Sequence, residues 1–272
     1  MRLIKKGCNK FFSLIEKYLS INWLNPVLTI YLNLRSFPFA QAVKMPVWIY
    51  GRPRLMCLSG KMQIEGKVRT GMIRFNFINI GSPSNMGIQS EINNQGVIIF
   101  HGAARIRTGN RIVVGYKAVL KLGGNIIIGD MCNLGCFKSI QIGHDTRIAH
   151  RSQIFDSNYH YVANFTKRVV PNIYRSIVIG NYCWICNSVS IAGGTNIPDS
   201  TIVSTNSLLN KDFSTIEPGS IVGGIPAKFI ASGYKLVNNR RKEMEIAHFY
   251  NTRDNEVYHL PEDIPQEDWF NW

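Results

Sequence analysis

The stretch "IGNYCWICNSVSIAGGTNIPDSTIVSTNSLL", residues 179–209, places an aliphatic side chain at 179, 185, 191, 197, 203 and 209. The step is six throughout. A helix returns its apolar face about every 3.6 residues and a strand about every 2, so neither gives this pattern. A coil with three short flat faces does, because each face uses one step and turns its aliphatic residue inward. The Gly, Asn and Asp residues that follow the inward positions supply the corner conformations. Self-similarity at a fixed period marks a solenoid whose neighbouring turns bury one continuous core. The fold class read from this stretch is an all-β solenoid, a parallel β-helix.

Working upstream, the same step links 114, 120 and 126, then 128, 134 and 140, then 142, 148 and 154. Between these groups it slips by two, which predicts one shortened face in the earlier turns. The pattern stops after "FDSNYHYV" (155–162) and the coil restarts at Ile177. Residues 155–176 are therefore expected to leave the coil as an excursion. Flat faces cannot project a functional group, and a loop that leaves them can.

Outside the repeat, charge is uneven. The chain has 272 residues and a net charge of +14; residues 1–70 hold 12 Lys/Arg against 2 acids, whereas from Glu243 onward 8 acids face only Arg253. The basic end suits phosphates, anionic lipid or an acidic glycan, or is simply a solvated face. Tyr18 to Leu34 is uncharged over 17 residues but contains Asn22, Asn25, Pro26 and Asn33, which argues against a membrane span. Two amphipathic helices broken near Asn25-Pro26 are expected, packed on the coil. Glu16 and Lys17 interrupt the apolar run that a signal peptide needs, so a cytoplasmic chain is expected. The inner face of the membrane is a further candidate contact for the basic segment. "CNLGC" (132–136) and "CWIC" (183–186) carry metal-like spacing. Cys132 and Cys183 fall on positions that take small apolar side chains, so buried reduced thiols are expected rather than a metal site.

"IGNYCWICNSVSIAGGTNIPDSTIVSTNSLLNKDFSTIEPGSIVGGIPAKFI" and the "FDSNYH" before it resemble the left-handed β-helix acyltransferases of the hexapeptide-repeat family. "MPVWIYGRPRLMCLSGKMQIEGKVRTGMIRF" resembles the opening segment of bacterial polysaccharide O-acetyltransferases. The resemblance covers residues 45–232. Within it an acyltransferase β-helix over 45–232 is implied, with the excursion at 155–176; the helical segment expected over 1–44 and the acidic extension over 233–272 lie outside it.

The resemblance further implies acetyl transfer from acetyl-CoA to a sugar hydroxyl in surface-glycan biosynthesis. Such a transfer needs a group to take the hydroxyl proton, and imidazole, with a pKa near 6.5, suits it. His160 is the candidate general base. Asp156 or Asn158 is available to orient it, although an Asx-turn explains Asp156 nearly as well. For the cofactor, the resemblance implies Trp184 beside the pantetheine arm, Asn187, Thr205 and Asn210 along the groove, and Lys211 and Lys228 on the phosphates. "VSTNS" and "WIC" depart from the family's usual pattern at these positions. A homotrimer with sites shared between subunits is implied as well, with no metal and no nucleic-acid partner.

Three other readings bear on this. A γ-type carbonic anhydrase uses the same coil, but its paired His lie five apart and no two His here do. A sugar nucleotidyltransferase needs a nucleotide-binding domain, and neither G-x-G-x-x-G nor a P-loop pattern occurs. A non-catalytic scaffold is the third, and an antibiotic or small free sugar is the alternative acceptor.

Overall fold

The computed structural model describes residues 11–13, 23–79, 87–253 and 256–261. Helix α1 (Pro26–Ser36) starts at the expected break: Asn25 is its N-cap, its side chain accepts from the Leu28 amide, and Pro26 takes the first turn. The helix expected before Asn25 lies almost wholly outside the described residues. After the short α2 (Phe39–Ala42) the chain winds into stacked coils.

Each coil visits three sheets in turn. The first is β1 (Val47–Ile49), β2 (Arg54–Cys57) and β3 (Lys61–Ile64). The second is β4 (Ile73–Phe77), β5 (Glu91–Asn94) and β6 (Val97–Phe100), and the third is β7 (Ala104–Arg107), β8 (Arg111–Val114) and β9 (Val119–Leu122). Then come β10 (Ile126–Ile128), β11 (Asn133–Cys136) and β12 (Ser139–Ile142), followed by β13 (Arg147–Ile148), β14 (Gln153–Phe155) and β15 (Ile177–Ile179). The sixth is β16 (Trp184–Ile185), β17 (Ser190–Ala192) and β18 (Asn196–Ile197). Finally β19 (Ile202–Val203) and β20 (Leu208–Leu209) lead to a closing hairpin, β21 (Ile221–Gly224) and β22 (Ala227–Ala231). The described strands form sheets of nine, seven and six, parallel everywhere except at the hairpin. This is the solenoid the repeat predicted, and it begins well upstream of Val114, where the six-residue step first becomes readable.

The inward positions behave as expected. Val114, Leu120, Ile128, Leu134, Ile140, Ile154, Ile185, Val203 and Leu209 are at most 1% exposed. The slips of two, however, do not mark a shortened face. Ile140 and Ile142 both point inward from β12, as do Leu120 and Leu122 from β9. The upstream faces are longer, carrying two inward residues where the later faces carry one. Accordingly the ladder partners of Leu134 are Ile112 in the coil before and Ile154 in the coil after. Further on, Ile185 is partnered by Val203, and the chain needs fewer residues to come round once.

Helix α1 closes the open edge of the first sheet through polar residues. The Asn33 side chain donates to the Val47 carbonyl at 2.8 Å and accepts from the Val47 amide at 3.1 Å. The Thr29 hydroxyl accepts from the Ile49 amide at 3.0 Å. These bonds satisfy the edge strand that would otherwise present unpaired backbone. The helix therefore packs through Thr29, Leu32, Asn33 and Ser36, and it turns Val27, Ile30, Tyr31 and Leu34 outward. Among the described residues no helix is long and apolar enough to cross a membrane.

The acidic extension holds a helix absent from the sequence reading, α3 (Arg240–Thr252), capped by Asn239 and without a buried residue. Just before it, Asn238 bonds the Asp145 carbonyl at 3.3 Å and accepts from Arg147, laying this segment back along the coil.

Cys132, Cys136 and Cys183 lie fully buried in the core. Burial pushes the Cys132 and Cys183 thiols up to about 12, and Cys186 up to about 11. Thiols this far above neutral pH carry almost no thiolate, the form that reacts. Iodoacetamide at pH 8 should accordingly leave Cys132, Cys136 and Cys183 unmodified in native protein, and label them after denaturation. Peptide mass spectrometry reads the outcome, and rapid native labelling of Cys183 would contradict it.

Candidate functional site

The excursion leaves the corner between the second and third sheets, after β14, and returns at β15. Asp156 is its root. The carboxylate is fully buried, and it accepts from the Phe137 amide at 2.7 Å and from the Lys138 and Ser139 amides at 2.8 Å each. Its own carbonyl accepts from the Arg175 amide at 2.9 Å, so the outgoing and returning legs meet there. Antiparallel bridges Ser157–Tyr174 and Asn164–Val169 continue that pairing outward.

Asp156 thus holds the corner of the preceding coil. The reason is geometric: both carboxylate oxygens are committed to backbone amides. His160 lies exposed further out on the loop, and its backbone amide donates to the Asn158 carbonyl at 2.7 Å. Its ring makes no hydrogen bond among the described residues.

The neighbouring Tyr159 anchors this part of the loop. Tyr159 adopts a positive φ of 62°, a sparsely populated conformation for a bulky residue, and its amide donates to the Ser157 hydroxyl at 3.1 Å. Its ring meets Phe137 at 5.0 Å and Phe155 at 5.9 Å between centroids, both edge-on. Gly135 makes this packing possible, since a Cβ there would collide with the Phe155 ring and come within 3.0 Å of the Tyr159 hydroxyl. Burial raises the Tyr159 pKa, opposed by the nearby Arg111 charge. The hydroxyl stays protonated.

Beside these rings the outer surface of the second sheet is concave. A pocket of about 400 Å³ is lined by Asn93, Arg111, Val113, Asn133, Phe137, Phe155 and Tyr159 among others. Sequence reading missed it. Val113, Gly135 and Phe155 are successive partners in the ladder, each a full coil from the next. Only the coil length, not the six-residue step, connects them.

The residues expected to bind the cofactor are spread over the later coils and the closing hairpin. Trp184 stands on the outer face of the first sheet, 37% exposed, between Arg147 and Ile202. Asn187 follows it at the corner between the first and second sheets. Thr205 occupies the same corner one coil on, where the Asn206 amide bonds the Asn187 carbonyl at 3.0 Å. Asn210 and Lys211 follow β20, and the Lys211 ammonium lies 5.2 Å from the Phe213 ring centre. Lys228 is exposed on β22, opposite Gly223. No cluster of three metal-binding side chains occurs among the described residues. One chain therefore keeps His160 and the Trp184–Asn187–Thr205 group at separate corners, with the second sheet between them.

A stack of three-sided coils interrupted by one excursion defines a parallel β-helix. No family model matches the chain. It is 27% identical over 164 residues to WbbJ of Escherichia coli K12, named for O-acetyl transfer in lipopolysaccharide biosynthesis, a match that spans 57% of this chain and 80% of that protein. It is 43% identical over 118 residues to a chloramphenicol acetyltransferase of Agrobacterium fabrum, covering 39% of this chain and only 50% of that enzyme. Among solved structures, the polysialic-acid-specific acetyltransferase NeuO aligns with a TM-score of 0.49 at 21% identity, over 70% of this chain and 84% of that one. The chain is thus similar in sequence to curated acetyltransferases.

Replacing Asp156 by Ala leaves three amides without their acceptor, at roughly 1–3 kcal/mol for each buried group orphaned. The melting temperature should fall by several degrees or more, and Asp156→Asn should fall less. Unchanged melting together with lost turnover would instead assign Asp156 to the imidazole.

Proposed function

We propose that this chain transfers an acetyl group from acetyl-CoA to a sugar hydroxyl of a surface-glycan precursor, with His160 as general base. The observation that supports the reading is the break in the coil: the excursion carries His160, and the residue before it, Tyr159, lines a concave pocket of polar and aromatic side chains. In the proposed reaction the imidazole accepts the hydroxyl proton as the oxygen attacks the thioester carbonyl. It then returns that proton to the departing thiolate. The match to WbbJ, which covers 80% of that protein, favours a glycan acceptor. A chloramphenicol-like acceptor is the second reading, favoured by the higher identity of that relative over a shorter part.

The same proposal makes the active enzyme a homotrimer. His160 and the Trp184 group occupy different corners of one chain, and a neighbouring copy related by a closed rotation brings the corner of one against the loop of the next. Trp184 then flanks the thioester arm, Asn187, Thr205 and Asn210 line the groove, and Lys211 and Lys228 meet phosphates. The outward apolar row of α1, beside Arg35 and Lys44, supports peripheral contact with an anionic membrane surface.

His160→Ala should lower kcat about 10²–10⁴-fold, the usual share of a general base, with little change in acetyl-CoA affinity. Steady-state kinetics beside a cofactor titration separate the two effects, and retained turnover would remove the assignment. Shared sites make a further demand. When His160→Ala and Trp184→Ala chains are co-expressed, mixed assemblies should regain activity that neither variant has alone. If the mixture stays as inactive as its parents, each site is complete within one chain.

A further inference from the structure

The pocket on the second sheet, lined by Tyr159 of the excursion, has a chemistry of its own. Its wall is aromatic, made by Phe137, Phe155 and Tyr159, and its floor is polar, made by Asn93, Asn133 and Arg111. Apolar ring faces opposite amide and guanidinium donors suit a sugar ring, which has a C–H face and a rim of hydroxyls. Electrostatics narrows the class. Arg111 Nε lies 3.2 Å from one Glu91 oxygen, and an Arg54 terminal nitrogen lies 3.6 Å from the other. Two guanidinium groups thus share one carboxylate, and the cluster keeps a net positive charge. Glu91 also fixes the guanidinium of Arg111 through Nε, while its two terminal nitrogens have no partner among the described residues. A planar pair of donors in that position matches a carboxylate in two-point fashion.

We infer that this pocket is the acceptor subsite and that it selects a saccharide carrying a carboxylate, held by Arg111 and Asn133 against the Phe155–Tyr159 wall. The inference rests on the glycan reading above and adds the place and the charge of the acceptor. The in-register row Arg111, Asn133, Gln153 and Ser190 continues the polar floor past the pocket, one strand spacing of about 4.8 Å at a time. A chain of sugars has a track to follow there.

The test compares a uronate-containing oligosaccharide with its carboxyl-reduced counterpart as acceptors. Release of CoA thiol is followed for wild type, Arg111→Gln and Asn133→Ala, with circular dichroism melting to show that the folds are kept. Both substitutions sit on the outer face of the sheet. Wild type should show a KM for the acidic acceptor at least 10-fold below that for the neutral one. Arg111→Gln should erase that difference, Asn133→Ala should raise both acceptor KM values, and neither should move the KM for acetyl-CoA. Wild-type transfer that treats both acceptors alike, or variants with unaltered acceptor KM, would overturn the subsite while leaving the glycan reading intact. No transfer to either sugar, with transfer to chloramphenicol, would overturn both.

Discussion

The parallel ladder between successive coils is the interaction on which the rest of this protein depends. Every strand within the stack gives its amides and carbonyls to the coils on either side, and each inward aliphatic side chain rests on its counterpart in the next coil. The two requirements support one another. Ile185, for instance, sits between Ile148 and Val203 in the ladder and is fully buried. Burying such a side chain contributes about 1.5–3 kcal/mol, but only while the ladder holds its register. A ladder of this kind has two ends, and both are closed. At one end Asn33 and Thr29 of α1 satisfy β1, and at the other the β21–β22 hairpin turns the last strand back antiparallel.

Closing the first end with polar side chains has a consequence for α1. A helix that uses Thr29 and Asn33 to meet backbone groups has its amphipathic sense reversed, and Val27, Ile30, Tyr31 and Leu34 are left facing outward. The Asn and Thr residues that argue against a membrane span are the same ones that the edge strand requires.

The ladder also decides where chemistry is possible. Flat faces present outward side chains in even rows, so concave sites arise mainly at corners, at glycine gaps and at excursions. Here the three coincide. Asp156 holds the corner where the chain departs, Gly135 leaves space for Phe155 and Tyr159, and the Tyr159 ring ties the start of the loop to that gap. A buried carboxylate committed to three amides is a strong local constraint, since a charged acceptor lacking such donors is costly inside a protein. The excursion thus starts from a rigid point, although much of its length is exposed.

The sequence by itself determined the solenoid, its inward positions from Val114 onward, the excursion and its return at Ile177, and the helix start at Asn25-Pro26. These are legible because a repeat that buries one side chain per face must write that side chain at a regular interval, and because capping and corner conformations depend on the residue in place. The length of the upstream faces was decided only in three dimensions: a slip of two in the repeat fits a shorter face as well as a longer one, and Ile142 pointing inward beside Ile140 is what distinguishes them. The amide contacts of Asp156 were visible only there too, since the Phe137, Lys138 and Ser139 amides that meet its carboxylate come from the preceding coil. So was the pocket, because Arg111, Asn133 and Phe155 come from different coils and meet only when those coils are stacked. Spacing along the chain reports which residues share an inward column. Which outward residues become neighbours depends on coil length, and coil length is set by the packing of the turns on one another.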